Sequence, residues 1–113
     1  MTIVYKIFRA DEYADFAARG ESEGAPIDIQ DGYVHMSTAE QVVETAAKHF
    51  AGEDGLKVLA FDPNELGDDV KWEPSRGGAL FPHLYRNLKT DDVIWTKDLP
   101  LVDGAHDFGG ILP

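Results

Sequence analysis

The sequence contains no cysteine. Disulfide bonds, thiolate nucleophiles and cysteine-ligated zinc or iron–sulfur sites are therefore excluded. Basic residues are scarce as well, because ten Lys and Arg stand against 21 Asp and Glu and give a formal net charge of −11. Such a field repels phosphate backbones and anionic lipid surfaces. We therefore expect neither nucleic acid nor a membrane as a partner.

Long apolar stretches are also absent. No stretch approaches the roughly 20 apolar residues of a membrane span, and no basic start with an apolar run indicates a leader. We therefore expect a cytoplasmic protein. Its 113 residues are enough for one hydrophobic core and too few for two. A single domain over residues 1–113 is predicted.

Two familiar kinds of catalytic motif are missing. The four histidines include no His-x-x-x-His spacing, so we expect no metal site. There is no Gly-x-Ser-x-Gly elbow, and without cysteine covalent hydrolase chemistry has no visible carrier.

What is present is a mixture of strand and helix patterns that predicts an α+β domain. Strands are predicted over residues 2–8, 33–36, 56–61, 70–73 and 93–99, and helices over about 11–19 and 38–50. Gly and Pro predict loops over 20–32 and 74–87, and a mobile tail over 103–113. The helix residues expected to face the core are Tyr13, Phe16 and Ala17 in the first, and Val42, Val43, Ala46, Ala47 and Phe50 in the second.

The most informative segment runs from Asp31 to Thr38. Side chains alternate along a strand, so Tyr33 and His35 share one face while the apolar Val34 and Met36 share the other. Ser37 and Glu40 have the spacing of a capping box, which places a helix N-terminus near His35. This predicts a site for an anion or a ribose hydroxyl. The alternative is a buried histidine bonded to backbone.

Two later segments add polar candidates. In Phe81–Tyr85, His83 and Tyr85 lie on one side of an extended segment and could line a pocket, where the phenol stacks on a flat ring; the alternative is an aromatic loop that closes the core. Glu73 could polarise a sugar hydroxyl and Arg76 could hold a phosphate. A surface ion pair among Lys71, Glu73 and Arg76 is the other interpretation.

Four blocks of the chain resemble the DUF952 family of small bacterial proteins. They are Tyr5-Lys6-Ile7, Asp31-Gly32-Tyr33-Val34-His35-Met36-Ser37, Gln41 and Phe81-Pro82-His83-Leu84-Tyr85. The resemblance covers nearly the whole chain. It implies an ADP-ribosyltransferase-like fold, in which a split antiparallel sheet with two main helices packed on it holds NAD in a cleft.

The resemblance also implies roles for single residues. Lys6 occupies the position that grips the NAD ribose, where the related transferases usually have histidine. His35 and Ser37 would line the nicotinamide side of the cleft. The resulting site prediction has His35, Glu73 and His83 as catalytic residues and Lys6, Tyr33, Ser37, Arg76 and Tyr85 as residues that bind the dinucleotide.

Three functions follow as hypotheses. The first is an ADP-ribosyltransferase or NAD glycohydrolase with NAD as substrate, and the net charge favours a protein or small-molecule acceptor over nucleic acid. The second is a non-catalytic module that binds a nucleotide or another metabolite in the same cleft. The third is acid–base chemistry by His35 and His83 on an unrelated substrate, which requires the two rings to face each other.

Overall fold

A computed structural model of the protein describes residues 2–75 and 78–112. Its strands are β1 (Val4–Phe8), β2 (Glu21–Ser22), β3 (Val34–His35), β4 (Ser37–Thr38), β5 (Leu56–Phe61), β6 (Val70–Pro74), β7 (Leu80–Leu84), β8 (Leu88–Lys89), β9 (Val93–Leu99), β10 (Leu101–Val102) and β11 (Ala105–His106). Its helices are α1 (Ala10–Arg19), α2 (Pro26–Asp31), α3 (Ala39–His49) and α4 (Pro63–Leu66).

The larger sheet has four antiparallel strands in the order β4-β1-β5-β9. Alternation along β1 directs Val4 and Phe8 to one side and Tyr5 and Ile7 to the other, and each pair joins a separate cluster of buried apolar residues. The sheet is therefore covered on both faces. Lys6 shares the side of Val4 and Phe8, so its ammonium group needs a buried partner.

The smaller sheet has three antiparallel strands in the order β3-β7-β6. One face carries Val34 and Leu84, which pack into the same cluster as Val4 and Phe8. The residues that alternate with them point away from this core. In the register of the sheet, His35 of β3 lies directly opposite His83 of β7.

The remaining pairings are short. Strands β2 and β8 form an antiparallel pair, and so do β10 and β11. The β10–β11 hairpin corrects the prediction of a mobile tail. After it Ile111 is buried, and Phe108 and Leu112 pack against the cluster of Tyr5 and Ile7, because the second face of the larger sheet still has apolar surface to cover.

The long strands and both main helices are confirmed. Strands β5 and β9 have the predicted bounds, and Gly20 ends α1 in the left-handed conformation with φ of 80°. The predicted helix faces are too wide. Phe16, Val42 and Ala46 are buried, whereas Ala17, Val43 and Ala47 are exposed, because each helix presents only a narrow stripe to the sheet.

The prediction of a loop over residues 20–32 is wrong, because α2 forms there. Pro26 occupies its first turn, where a missing N–H costs nothing, and the Asp28 carboxylate accepts a bond of 2.7 Å from the N–H of Ala25. Gly32 ends the helix with φ of 86° and directs the chain into β3.

The prediction of a loop over residues 74–87 is wrong as well, because β7 runs through it. Pro82 argues against a central strand, since it cannot donate a ladder hydrogen bond. Its carbonyl nevertheless accepts from the N–H of Met36 at 3.0 Å, and strands β3 and β6 flank β7 on both sides.

The capping box lies one residue later than predicted. Ser37 and Thr38 pair with β1, so α3 begins at Ala39 and the side chain of Gln41 accepts from the N–H of Thr38 at 3.0 Å. Helix α1, by contrast, begins at Ala10, which is earlier than predicted.

The architecture is thus α+β with antiparallel sheets, in agreement with the predicted class. Within residues 2–75 and 78–112, no helix has the length and apolar content needed to cross a membrane.

Candidate functional site

Five predicted site residues come together on the outer face of the smaller sheet. Tyr33 and His35 come from β3 and the residue before it, His83 and Tyr85 from the end of β7, and Glu73 from β6. Because they alternate with core residues, all five point away from the apolar cluster. We call this set, Tyr33, His35, Glu73, His83 and Tyr85, the aromatic–carboxylate face.

The Tyr33 ring lies at the centre of this face. Its centroid is 4.2 Å from that of His83 in a stacked arrangement, 4.7 Å from that of His35 and 5.1 Å from that of Tyr85. Burial, followed by the charges of Asp31, Glu73 and Asp28, raises the pKa of Tyr33. The phenol is therefore neutral at physiological pH.

His35 is paired with a carboxylate that comes from α2. Its Nδ1 lies 2.6 Å from Asp28 Oδ1, and its backbone N–H donates to the same oxygen at 3.0 Å. The Asp28 side chain is 0% exposed while that of His35 is 34% exposed. We call this pair the inner dyad: its carboxylate is in the core and its imidazole reaches the surface.

Lys6 supplies the countercharge for Asp28. Its Nζ donates to Asp28 Oδ2 at 2.6 Å and to the carbonyl of His35 at 3.0 Å. Burial alone would raise the pKa of Asp28, but the bonds from His35 and Lys6 outweigh it and lower that pKa to about 2. The buried carboxylate is therefore ionised, and Lys6 contacts it rather than open solvent.

The second carboxylate–imidazole pair has the opposite arrangement. Glu73 Oε1 lies 2.8 Å from His83 Nδ1 and accepts from the Tyr85 hydroxyl at 2.6 Å. Here the His83 side chain is 4% exposed and that of Glu73 is 36% exposed. We call Glu73 and His83 the outer dyad, because its carboxylate is the member that reaches the surface.

Hydrogen bonding also sets the ionisation of the outer dyad. The bonds from Tyr85 and then His83 lower the pKa of Glu73, so its carboxylate is charged at neutral pH. The same bond to Glu73 raises the pKa of Tyr85 to about 12. Both of these bonds end on Oε1, and among the described residues no hydrogen bond ends on Oε2.

A cavity of about 310 Å³ borders this face. Its walls come from the end of α2, the start of β3 and the residues after β7, and include Ile29, Gly32, Tyr33, Tyr85 and Asn87. A second cavity of about 290 Å³ lies between α1 and β9 and is lined by none of the predicted site residues. Of the aromatic–carboxylate face, Tyr33 and Tyr85 line the first cavity, whereas His35, Glu73 and His83 do not.

One predicted site residue, Ser37, lies away from this face. The Ser37 hydroxyl is buried and shares a hydrogen bond of 3.1 Å with Thr45 of α3. Arg76 lies outside the described residues. In the part of the chain that the structure describes, Glu73 is bonded to His83 and Tyr85, and the charge of Lys71 also helps to lower its pKa. The alternative of a surface ion pair among Lys71, Glu73 and Arg76 stays a prediction, because it includes Arg76.

The sequence prediction missed Asp28 and the contact of Asp31. Asp31 Oδ2 lies 3.1 Å from His35 Nε2, so His35 has a carboxylate at each ring nitrogen. One local signal was available: Pro26 followed by an acidic residue is typical of a first helical turn. No group of three or more His, Cys, Asp or Glu among residues 2–75 and 78–112 has the arrangement of a metal site.

Comparison with known proteins assigns the family. The family model described as "Protein of unknown function (DUF952)" matches residues 7–96. The chain belongs to the DUF952 family. No curated protein gives a significant match.

Solved structures of one DUF952 relative agree with this fold. A crystal structure of protein CC0527 from Caulobacter crescentus is 46% identical, with a TM-score of 0.92 and 96% of each chain covered. The solution NMR structure of CC0527 is 47% identical with a TM-score of 0.88, and covers 99% of this chain and 97% of that one. A crystal structure of a double mutant of the same protein is 45% identical, with a TM-score of 0.92 over 96% of each chain.

Proposed function

We propose that this DUF952 protein is an NAD-consuming enzyme that transfers ADP-ribose to an acceptor or to water, on a split sheet of ADP-ribosyltransferase-like fold. The observation that carries the proposal is the Glu73 carboxylate, which is ionised, partly exposed and held in place by Tyr85 and His83. In this proposal residues 1–113 act as a single domain in the cytoplasm.

Glu73 suits the task of binding a ribose hydroxyl. A carboxylate accepts a hydrogen bond from the hydroxyl and stabilises the positive charge that develops on the sugar ring as the glycosidic bond weakens. Two bonds fix Oε1, so Oε2 is presented in one orientation. A group held in place in this way needs little reorganisation during the reaction.

Tyr33 and Tyr85 supply a surface for the nicotinamide ring. Both border the cavity of about 310 Å³, a volume that lies at the lower end of ligand pockets. Such a volume accommodates a ring with its ribose. The oxidised nicotinamide ring is a cation, which aromatic faces and nearby carboxylates attract.

The proposed step exchanges one bond at ribose C1′ for another. The bond between the nicotinamide nitrogen and ribose C1′ breaks, and its electron pair leaves with neutral nicotinamide. An oxygen or nitrogen of the acceptor forms the new bond to C1′ and loses a proton. His35 is the exposed imidazole of the face and accepts this proton.

The test compares Glu73→Gln with Glu65→Gln, an exposed residue of α4. Calorimetry measures NAD binding, and a chromatographic assay measures nicotinamide release. We expect Glu73→Gln to bind NAD with nearly unchanged affinity and to lose turnover, while Glu65→Gln matches the parent protein. Release of nicotinamide at the parental rate by Glu73→Gln contradicts the proposal.

One observation favours the second candidate, a binding module without catalysis. His83 is buried beneath the Tyr33 ring and cannot reach a substrate in this arrangement. The hypothesis that His35 and His83 act together as acid and base therefore loses support. The two rings lie 5.4 Å apart and meet edge to face. Saturable binding of NAD, ADP-ribose or another nucleotide without product, in the parent protein, is the result that selects this candidate.

A further inference from the structure

The Asp28 carboxylate is the most densely bonded buried group near the aromatic–carboxylate face. It accepts three bonds, from Lys6 Nζ and from the backbone N–H groups of Ala25 and His35, and it also lies 2.6 Å from His35 Nδ1. It lies on α2, outside both sheets, and is not itself part of the aromatic–carboxylate face. Its position is therefore set by the packing of α2 over β1 and β3.

We propose that Asp28 is a positioning residue that fixes the proton of His35 on Nδ1 and thereby presents Nε2 to the ligand. The inference deepens the proposed function and rests on it for the role of Nε2. The placement of the proton itself rests only on the inner dyad.

The chemistry of the carboxylate decides where the proton of His35 lies. An ionised carboxylate has no proton to give, so each of its contacts must be an acceptor contact. A ring nitrogen 2.6 Å from such an oxygen must therefore carry the hydrogen. In neutral imidazole the other nitrogen, Nε2, is then the acceptor.

Lys6 makes this arrangement possible in the core. A lone buried carboxylate would take up a proton and could then no longer impose a tautomer. The ammonium group at 2.6 Å keeps Asp28 charged, and its second bond, to the carbonyl of His35, holds the backbone of the same residue. Lys6 thus acts on His35 through Asp28, without a contact to the ligand.

Gly24 leaves the space that the carboxylate occupies. A Cβ at this position would lie 2.3 Å from Asp28 Oδ2, and the residue has φ of 101°, which side chains rarely adopt. Its N–H donates to Ser22 Oγ at 2.9 Å, which closes the turn before α2. The turn is therefore shaped to admit the Asp28 carboxylate.

Asp31 marks the place of the acceptor group. Its Oδ2 lies 3.1 Å from His35 Nε2, a contact that by the same rule suits the protonated ring. When the ring is neutral, Nε2 and the Asp31 carboxylate are both acceptors and repel each other. Because the Asp31 side chain is one-third exposed, it can turn away, and a substrate hydroxyl or a water molecule can donate to Nε2 in its place. In the transfer step that hydroxyl gives its proton to Nε2 while its oxygen bonds to ribose C1′. The imidazolium so formed is stabilised by the Asp28 carboxylate at Nδ1, and Asp31 can return to Nε2 after the product leaves.

The test is ¹⁵N NMR of the His35 ring, which measures the tautomer directly. It is made without NAD and at a pH high enough for the ring to be neutral. We expect the Nδ1–H form in the parent protein and in Asp31→Asn. Asp28→Asn is expected to show a mixture, because an amide can accept from Nδ1–H or donate to bare Nδ1. A parent protein with the Nε2–H form overturns the inference, even if no variant folds.

A kinetic measurement distinguishes a failure of this inference from a failure of the proposed function. If the parent protein releases nicotinamide, Asp28→Asn should lower kcat by about 10²- to 10⁴-fold, the range of general acid–base catalysis, with a smaller change in KM. An unchanged kcat in Asp28→Asn overturns the inference. If the parent protein releases no nicotinamide, the proposed function fails, and an Nδ1–H signal still supports the placement of the proton by Asp28.

Discussion

The inner and outer dyads contain the same two chemical groups in opposite positions. In the inner dyad the carboxylate of Asp28 is buried and the imidazole of His35 reaches the surface. In the outer dyad the imidazole of His83 is buried and the carboxylate of Glu73 reaches the surface. The exposed member of each pair is the one that can meet a ligand, and the buried member orients it.

The difference has a structural origin. His35 and His83 lie opposite each other in the sheet, yet Tyr33 stacks on His83 and leaves His35 more exposed. Asp28 approaches from α2, whereas Glu73 approaches from the neighbouring strand β6. Burial therefore depends on the element that each partner comes from, and residue type alone does not determine which group meets solvent.

The largest expected effect comes from removing the countercharge of the inner dyad. Lys6→Met leaves the Asp28 charge buried without its counterion, and we expect a loss of about 3–5 kcal/mol in the free energy of unfolding, measured by denaturant titration. Lys48→Met is the matched control, because it removes only an exposed pair with Glu44 and should cost about 0–1 kcal/mol. Equal losses in the two variants would contradict the account.

A second prediction uses acid to probe the same dyad. The pKa of Asp28 is lowered to about 2 in the folded chain from the ordinary value of 3.8. The stability it contributes is therefore complete above about pH 4 and is lost as the pH falls toward 2, by about 2 kcal/mol in all at 1.36 kcal/mol per unit. Denaturant titrations across this range should show this loss as the difference between the parent protein and Asp28→Asn, whose residue 28 cannot titrate. If the free energies of unfolding of the two proteins fall in parallel as the pH is lowered, the prediction is wrong.

A third prediction concerns the outer dyad, where the expected effect is smaller. Removing the Glu73 charge by Glu73→Gln should return the pKa of Tyr85 from about 12 toward 10. Spectrophotometric titration of the tyrosines measures this shift, with Tyr85→Phe identifying the signal of Tyr85. We expect little change in melting temperature, since both groups are partly solvated. If the pKa of Tyr85 stays near 12 in Glu73→Gln, the bond to Glu73 is not the cause of the raised pKa, and the prediction is wrong.

The two dyads also show which features of the fold and of the site could be predicted from the sequence. Period-two alternation correctly separated Tyr33 and His35 from Val34 and Met36, and the apolar run of β5 indicated its bounds. These are local signals, read from neighbours in the chain. The first of them was sufficient to select His35, whereas Glu73 was selected from its place at the end of a predicted strand.

The buried members were harder to place. Asp28 lies 22 residues from Lys6 in a segment rich in glycine, and nothing local indicates that α2 closes over β1. His83 was identified, but Pro82 concealed the central strand that buries it. Long-range packing decided both outcomes, and such packing leaves no periodic trace in a single sequence.

The most direct test of the account is an NMR titration of ¹⁵N-labelled protein with NAD. The account predicts saturable shifts centred on the aromatic–carboxylate face, strongest at Tyr33, His35 and Tyr85. Shifts centred instead on the cavity between α1 and β9, at Tyr13 and Thr96, would place the ligand away from both dyads and contradict the account, as would a spectrum that NAD leaves unchanged.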